Sequence, residues 1–186
     1  MNKPDLTPLA LLFDGAVPAP LQGPSLHVAP RETPPVTLLA AWPGTEAELV
    51  AIIATAGIVL PRVAGSSLRS GDAVAHCQSP GCWLVEHPGT LLPQIEAGIG
   101  TATDLSEGRS SFIIEGADAV DLAQKLAPVD FAAAHDPMCF VQCGSDHGIA
   151  LALWRETEIR FIAYVERSYG HDFWHVLEAE SAEFRA

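Results

Sequence analysis

His171 and His175, in the run His171-Asp172-Phe173-Trp174-His175, are the residues of this chain best spaced to hold a metal ion. On a helix, positions i and i+4 share a face, so both imidazoles could reach one zinc. Asp172 stands where an HExxH helix carries its glutamate general base. Aspartate is one methylene shorter and would hold its carboxylate further from a metal-bound water. No histidine follows His175 to complete a ligand set. Such a pair also arises on ordinary surface helices, and the sequence favours that reading over a zinc hydrolase.

Other candidates for chemistry are weaker. Gly65-Ser66-Ser67-Leu68-Arg69-Ser70-Gly71 could cradle an anion with backbone N–H groups, but it has neither the P-loop lysine nor dinucleotide spacing, and it reads as a loop. Gly98-Ile99-Gly100 falls between a predicted helix and a predicted strand, the reverse of a dinucleotide fingerprint. The cysteines Cys77, Cys82, Cys139 and Cys143 form no CxxC pair and read as free thiols. Cys139 and Cys143 would share one face of a strand. Seven histidines are dispersed, mostly at expected turns, and no serine stands in a nucleophile elbow.

The elements that must position these residues centre on 103–128, TDLSEGRSSFIIEGADAVDLAQKLAP. Ser110, Phe112 and Ile114 alternate with Ser111, Ile113 and Glu115 as in a strand. Glu115-Gly116 closes it, Asp118 puts a carboxylate in the first turn of a helix, and Pro128 ends that helix. Upstream, 36–41 predicts a strand. Thr45 with Glu48 predicts a capping box for a helix with Leu49, Ile52, Ile53 and Ala56 on one face and Gly57 at its end. Further strands are expected at 58–63, 72–77, 82–86 and 101–105, with a short helix at 91–97. Downstream, 138–143, 149–154 and 158–165 predict strands, with a turn at 146–148. Ser168 is placed to cap a last helix that carries Tyr169, Phe173, Val176 and Leu177 on its apolar face and Trp174 at the flank.

Residues 1–35 hold eight prolines, which argue against a long helix or a central strand there. They read as a proline-rich arm lying over a surface, followed by a single domain over 36–186. The element order suggests an α+β fold built from ferredoxin-like βαββαβ elements, with a duplication of them as one way to account for the order.

Ten basic against 23 acidic residues give a formal net charge of −13, which repels nucleic acid. No apolar run is long enough for a transmembrane helix, and no signal-peptide pattern opens the sequence, so a cytoplasmic location away from membranes is expected. A 48% hydrophobic chain without a catalytic constellation suggests a subunit of something larger.

Three stretches carry a resemblance. TDLSEGRSSFIIEGADAVDLAQKLAPVDF resembles the D-x-S-x-G-R…G-x-D-A…L…D pattern of the aminomethyltransferase superfamily, which includes the glycine-cleavage T-protein. CWLVEHPG looks like a strand of the same superfamily. IRFIAYVERSYGHDFWHVLEA is similar to the ending of the gamma subunits of heterotetrameric sarcosine oxidases, supplying Phe161, Val165, Arg167, Ser168, Tyr169, Trp174 and Leu177. The resemblance runs over 37–179 and leaves the arm out.

The resemblance implies part of the folate-binding T-protein fold and a small non-catalytic subunit of an oxidoreductase complex that oxidises N-methyl amino acids. Its implied partners are larger alpha and beta subunits and a small delta subunit. FAD, FMN, NAD, tetrahydrofolate and zinc would reside on those partners and none on this chain, which carries no folate residue across. Sarcosine oxidation to glycine, with methylene transfer to tetrahydrofolate elsewhere in the complex, is the implied reaction. N-methylglutamate dehydrogenase uses the same subunit type, and a free-standing folate-binding or aminomethyl-transferring protein is the competing class. Within the subunit reading, Tyr169, Phe173 and Trp174 are the candidate partner interface, because Trp and Tyr buried at an interface most often dominate binding energy. The competing reading makes Trp174 the rim of the chain's own core.

Overall fold

The computed structural model describes residues 9, 12, 13, 16–89, 92–131, 139–144 and 148–185. They divide into two compact units. An inserted unit comprises Pro34–Ser106 with Met138–Val141, and an outer unit comprises Met1–Thr33, Glu107–Pro137 and Gln142–Ala186. This division cuts across the boundary that the prolines suggested at residue 36.

The inserted unit begins with β3 (Val36–Ala41), which follows β1 (Leu21–Gln22) and β2 (His27–Arg31) of the outer unit. Helix α1 (Glu46–Ala54) comes next, then β4 (Ser67–Ser70), β5 (Ala73–Ser79), β6 (Cys82–Glu86) and β7 (Gly100–Asp104). The sheet runs β4-β5-β6-β3-β7, and every pairing in it is antiparallel. Within it, β3, α1, β5, β6 and β7 have the strand order of a βαββαβ unit. The core forms where α1 covers the sheet: Leu49 and Ile53 of the helix pack with Leu39, Trp83 and Val85 beneath them. Complete burial of a leucine or isoleucine side chain stabilises the fold by about 1.5–3 kcal/mol. Gly57 ends the helical segment at φ 77°, in the left-handed region that favours glycine.

The outer unit holds β8 (Arg109–Glu115), α2 (Ala119–Leu126), β9 (Phe140–Gly144), β10 (Ala150–Thr157), β11 (Arg160–Glu166) and α3 (Gly170–Glu180). Its sheet runs β1-β2-β8-β11-β10-β9. The first two residues of β9 group with the inserted unit. Strands β10, β11, β8 and β2 repeat the strand order of the inserted unit, with α2 after β8 and α3 after β11. Here the fourth strand comes from the N-terminal side of the chain, not from after the last helix. The α+β class and the duplicated ferredoxin-like plan therefore both appear in the fold.

Several local expectations are corrected. The arm supplies strands: Pro30 of β2 stands opposite Phe112 of β8. Proline is tolerated there because β1 pairs only with His27 and Val28, which leaves β2 an edge at Pro30. Farther upstream, Phe13 is buried against Trp174 with ring centroids 6.2 Å apart, so this end of the arm's apolar patch packs on the chain's own outer unit. Thr45 is the N-cap of α1 but makes no side-chain capping bond. Its hydroxyl instead lies 2.9 Å from the Trp42 carbonyl and 2.5 Å from that of Ile99.

Residues 58–63 do not form a strand, although Ile58 and Leu60 reach the core. The glycine-bounded stretch contains β4, because Ser67–Ser70 pairs antiparallel along the edge of β5. No helix forms over 92–97. Ser168 lies inside a 3-10 turn (Arg167–Tyr169), and Tyr169 is the N-cap of α3. The helix starts at Gly170, where a Cβ would meet the side chains of Leu12 and Ser110 at 2.8 Å. The turn expected at 146–148 falls mostly outside the described residues.

Candidate functional site

In the inserted unit the chain between β6 and β7 would, in a complete βαββαβ unit, form a second helix over the sheet. The described residues of that link, 87–89 and 92–99, are not helical. They run beside the sheet and leave a cleft of about 660 Å³.

Register decides which side chains share it. Thr37 and Leu39 lie on the face of β3 that α1 covers, because side chains two apart point the same way. Across the β3–β7 ladder, Asp104 pairs with Thr37 and Ala102 with Leu39. The helix α1 covers the Leu39 end, and the Thr37 end opens into the cleft.

Four polar side chains meet there. Thr37 Oγ1 lies 2.7 Å from His87 Nε2, and the tautomer of the imidazole decides which of them donates. Ser106 donates to Asp104 Oδ1 from its hydroxyl at 2.6 Å and from its backbone N–H at 2.9 Å. Those two bonds hold the Asp104 carboxyl below its ordinary range, and the nearby His87 adds to the effect. Ser106 Oγ in turn accepts from the Val36 N–H at 3.0 Å, which anchors the turn to β3. Pro35, Leu92 and Ile95 supply apolar walls. Trp42 stands at the rim, about half exposed, with its indole N–H donating to the Ala97 carbonyl at 2.7 Å. Sequence reading missed this group because its members are up to about 70 residues apart. Only the Asp104-Leu105-Ser106 spacing was visible, as the first half of the D-x-S-x-G-R pattern.

A second serine–histidine pair is structural. Ser67 Oγ lies 2.7 Å from His76 Nδ1, but both residues are buried and the His76 ring stacks on Phe140 at 4.6 Å. The expected bias of histidines to turns does not hold, since His27 and His76 sit in strands and His171 and His175 in α3.

His171 and His175 do share a face of α3, with ring centroids 4.7 Å apart and planes perpendicular. His175 Nδ1 is 2.8 Å from Glu178 Oε2. No group of three or more metal-ligating side chains forms among the described residues. None of the four cysteines is joined in a disulfide; Cys77 is buried and the other three are half-buried. Burial pushes the thiols of Cys77, Cys82 and Cys143 up, away from the reactive thiolate.

The three aromatics expected to face a partner separate. Tyr169 is 42% exposed, whereas Phe173 and Trp174 are buried at 0% and 3% in the outer unit's own core. Phe112 contacts both rings from the sheet side, Phe173 edge-on at 5.4 Å and Trp174 stacked at 6.2 Å. Side chains already buried within their own chain have almost no surface left to offer a partner. Only Tyr169 remains available.

Two of the stretches that carried the family resemblance, the central one and the ending, meet in the outer unit. Glu166 pairs with Arg109 across the β8–β11 ladder, and Arg167 Nη1 lies 2.6 Å from Glu107 Oε2. Phe161, Val165, Trp174 and Leu177 are all buried. These positions of the pattern are core, so they report the fold before they report any activity.

No protein-family model matches the chain, and no curated protein matches it in sequence. Among solved structures, it is similar to a chain of the heterotetrameric sarcosine oxidase from Corynebacterium sp. U-96, solved in complex with pyrrole 2-carboxylate. The two are 24% identical with a TM-score of 0.76, over 97% of this chain and 96% of that one. At that identity the likeness is one of fold. No helix among the described residues is long and apolar enough to cross a membrane.

Proposed function

We propose that this chain is the small, gamma-type subunit of a heterotetrameric, sarcosine oxidase-like complex, and that it contributes structure and not catalysis. The observation that carries this reading is the end-to-end likeness of fold. The superposition covers 97% of this chain and 96% of the solved chain, so the likeness takes in both units and not one of them alone. The Arg167–Glu107 contact adds weight, because it ties the gamma-like ending to the central motif.

On this reading the alpha and beta subunits carry NAD, folate, FAD and FMN, and the delta subunit carries zinc. Oxidation of the N-methyl amino acid, sarcosine or a relative such as N-methylglutamate, takes place on those partners in the cytoplasm. The test is co-expression with alpha, beta and delta subunits of the sarcosine oxidase type from the same genome. The chain should co-purify in fixed stoichiometry with a yellow complex that oxidises N-methyl amino acids, and should itself be colourless when purified alone. Stoichiometric flavin on the isolated chain, or a fully assembled and active complex formed without it, would overturn the proposal.

A further inference from the structure

We propose that the cleft between β3, β7 and the 92–97 link is a binding site for a small organic ammonium ion with an apolar or aromatic body. The site is a consequence of the missing helix. In a complete unit a second helix would bury the Thr37 and Asp104 end of the sheet, and polar residues there would be costly. Here that end is open, and it is lined by polar side chains at Thr37, His87, Asp104 and Ser106. A volume of about 660 Å³ lies within the range of small-molecule pockets, about 300–1,000 Å³.

The lining selects the ligand's charge. Among the described residues of the lining Asp104 is the one anion, and its Oδ1 is already occupied by both donors of Ser106. Its Oδ2 accepts no hydrogen bond among the described residues and is left for a ligand N–H. A carboxylate or phosphate would meet that charge and the chain's net charge of −13. A purely apolar ligand would desolvate Asp104 without replacing its water. An ammonium group satisfies Asp104, while its body lies against Pro35, Leu92 and Ile95. The half-exposed indole of Trp42 at the rim adds a surface that attracts cations.

This site is independent of the subunit reading, since all its residues lie in the inserted unit. The experiment titrates the full-length chain, 15N-labelled, with phenethylammonium, phenethyl alcohol and 3-phenylpropanoate. Phenethylammonium should bind at least tenfold more tightly than the other two, with amide shifts centred on Thr37, Trp42, His87 and Asp104. Asp104→Asn, a substitution at an exposed position, should abolish that preference while the remaining spectrum stays folded. Trp42→Ala should weaken phenethylammonium severalfold and retain the order of preference. Equal affinity for the three probes, no binding of any of them, shifts centred elsewhere, or a preference that survives in Asp104→Asn would each overturn the proposal.

Discussion

The indole of Trp174 lies over the ring of Phe112, with centroids 6.2 Å apart and planes 23° from parallel, so the C-terminal helix turns its largest aromatic inward. Trp174→Ala should therefore act as a core truncation. The expected loss is about 3–5 kcal/mol of stability, read from urea unfolding of the isolated chain. Protein that remains folded should associate with its partners as tightly as the parent chain does. Unchanged unfolding with lost association would restore Trp174 as an interface anchor.

Tyr169 is the complementary case. It is exposed and caps the helix without a side-chain hydrogen bond to it, so Tyr169→Ala should change stability by less than about 0.5 kcal/mol. If Tyr169 faces a larger subunit in the complex, its loss should weaken association by on the order of 2 kcal/mol, roughly thirtyfold in Kd. Surface-immobilised partner and graded concentrations of the variant measure this directly.

Gly116 joins β8 to α2 at φ 127°, where a Cβ would collide with the Ser25 carbonyl oxygen. Gly116→Ala should cost about 1–3 kcal/mol from backbone strain, and more if the Ser25 segment has to move. The same segment donates the Ser25 hydroxyl to Asp118 and accepts the Asp118 N–H at 3.2 Å. Thermal unfolding of the variant should thus fall further than that of Gly44→Ala, whose added Cβ would meet nothing within 4 Å.

Ser106 sets the acid titration of Asp104. The folded-state value is depressed, so the associated stability is fully present above the unfolded carboxyl value and is lost as pH falls through the lowered one. Ser106→Ala should move the Asp104 titration up toward the ordinary aspartate value, as followed by carboxyl 13C shifts. Any stability difference between parent and variant that arises from Asp104 ionisation should persist at neutral pH and shrink below the folded titration point.

The histidine pair on α3 should prove dispensable for metal. His171→Gln with His175→Gln removes both imidazoles and the contact to Glu178, which lies on an exposed face. Metal analysis of the assembled complex should show no change per chain. Loss of one equivalent of zinc would revive a zinc-dependent role for this helix.

Strand β3, the β5–β6 hairpin, β8 and α2 were legible because each repeats a simple period over a whole element. The gamma-like ending was legible for a related reason, since its spacing is the inward face of β11 and α3. What was not legible depends on neighbours distant in sequence. Leu68 and Ser70 become a strand only because β5 offers a free edge, and Pro30 enters a sheet only because β1 is short. Leu92, Ile95 and Ile99 pack against the inserted unit's core and gave an apolar signal without a helix. The cleft was hidden most completely, because Thr37, His87 and Asp104 have no common period and meet only through the β3–β7 register.

The strand that the arm donates also orders the events of synthesis. Every strand of the inserted unit's sheet has been made once Asp104 has left the ribosome, so that sheet can close while the rest of the chain is still being translated. Strand β2, made earlier, must wait for β8, since His27 pairs with Glu115 and Arg31 with Ser111. Its core is complete only when Phe173 and Trp174 arrive near the C-terminus. Strand β2 is therefore buried well after it is made, and Phe13, Leu21 and Leu26, all buried in the finished fold, wait with it.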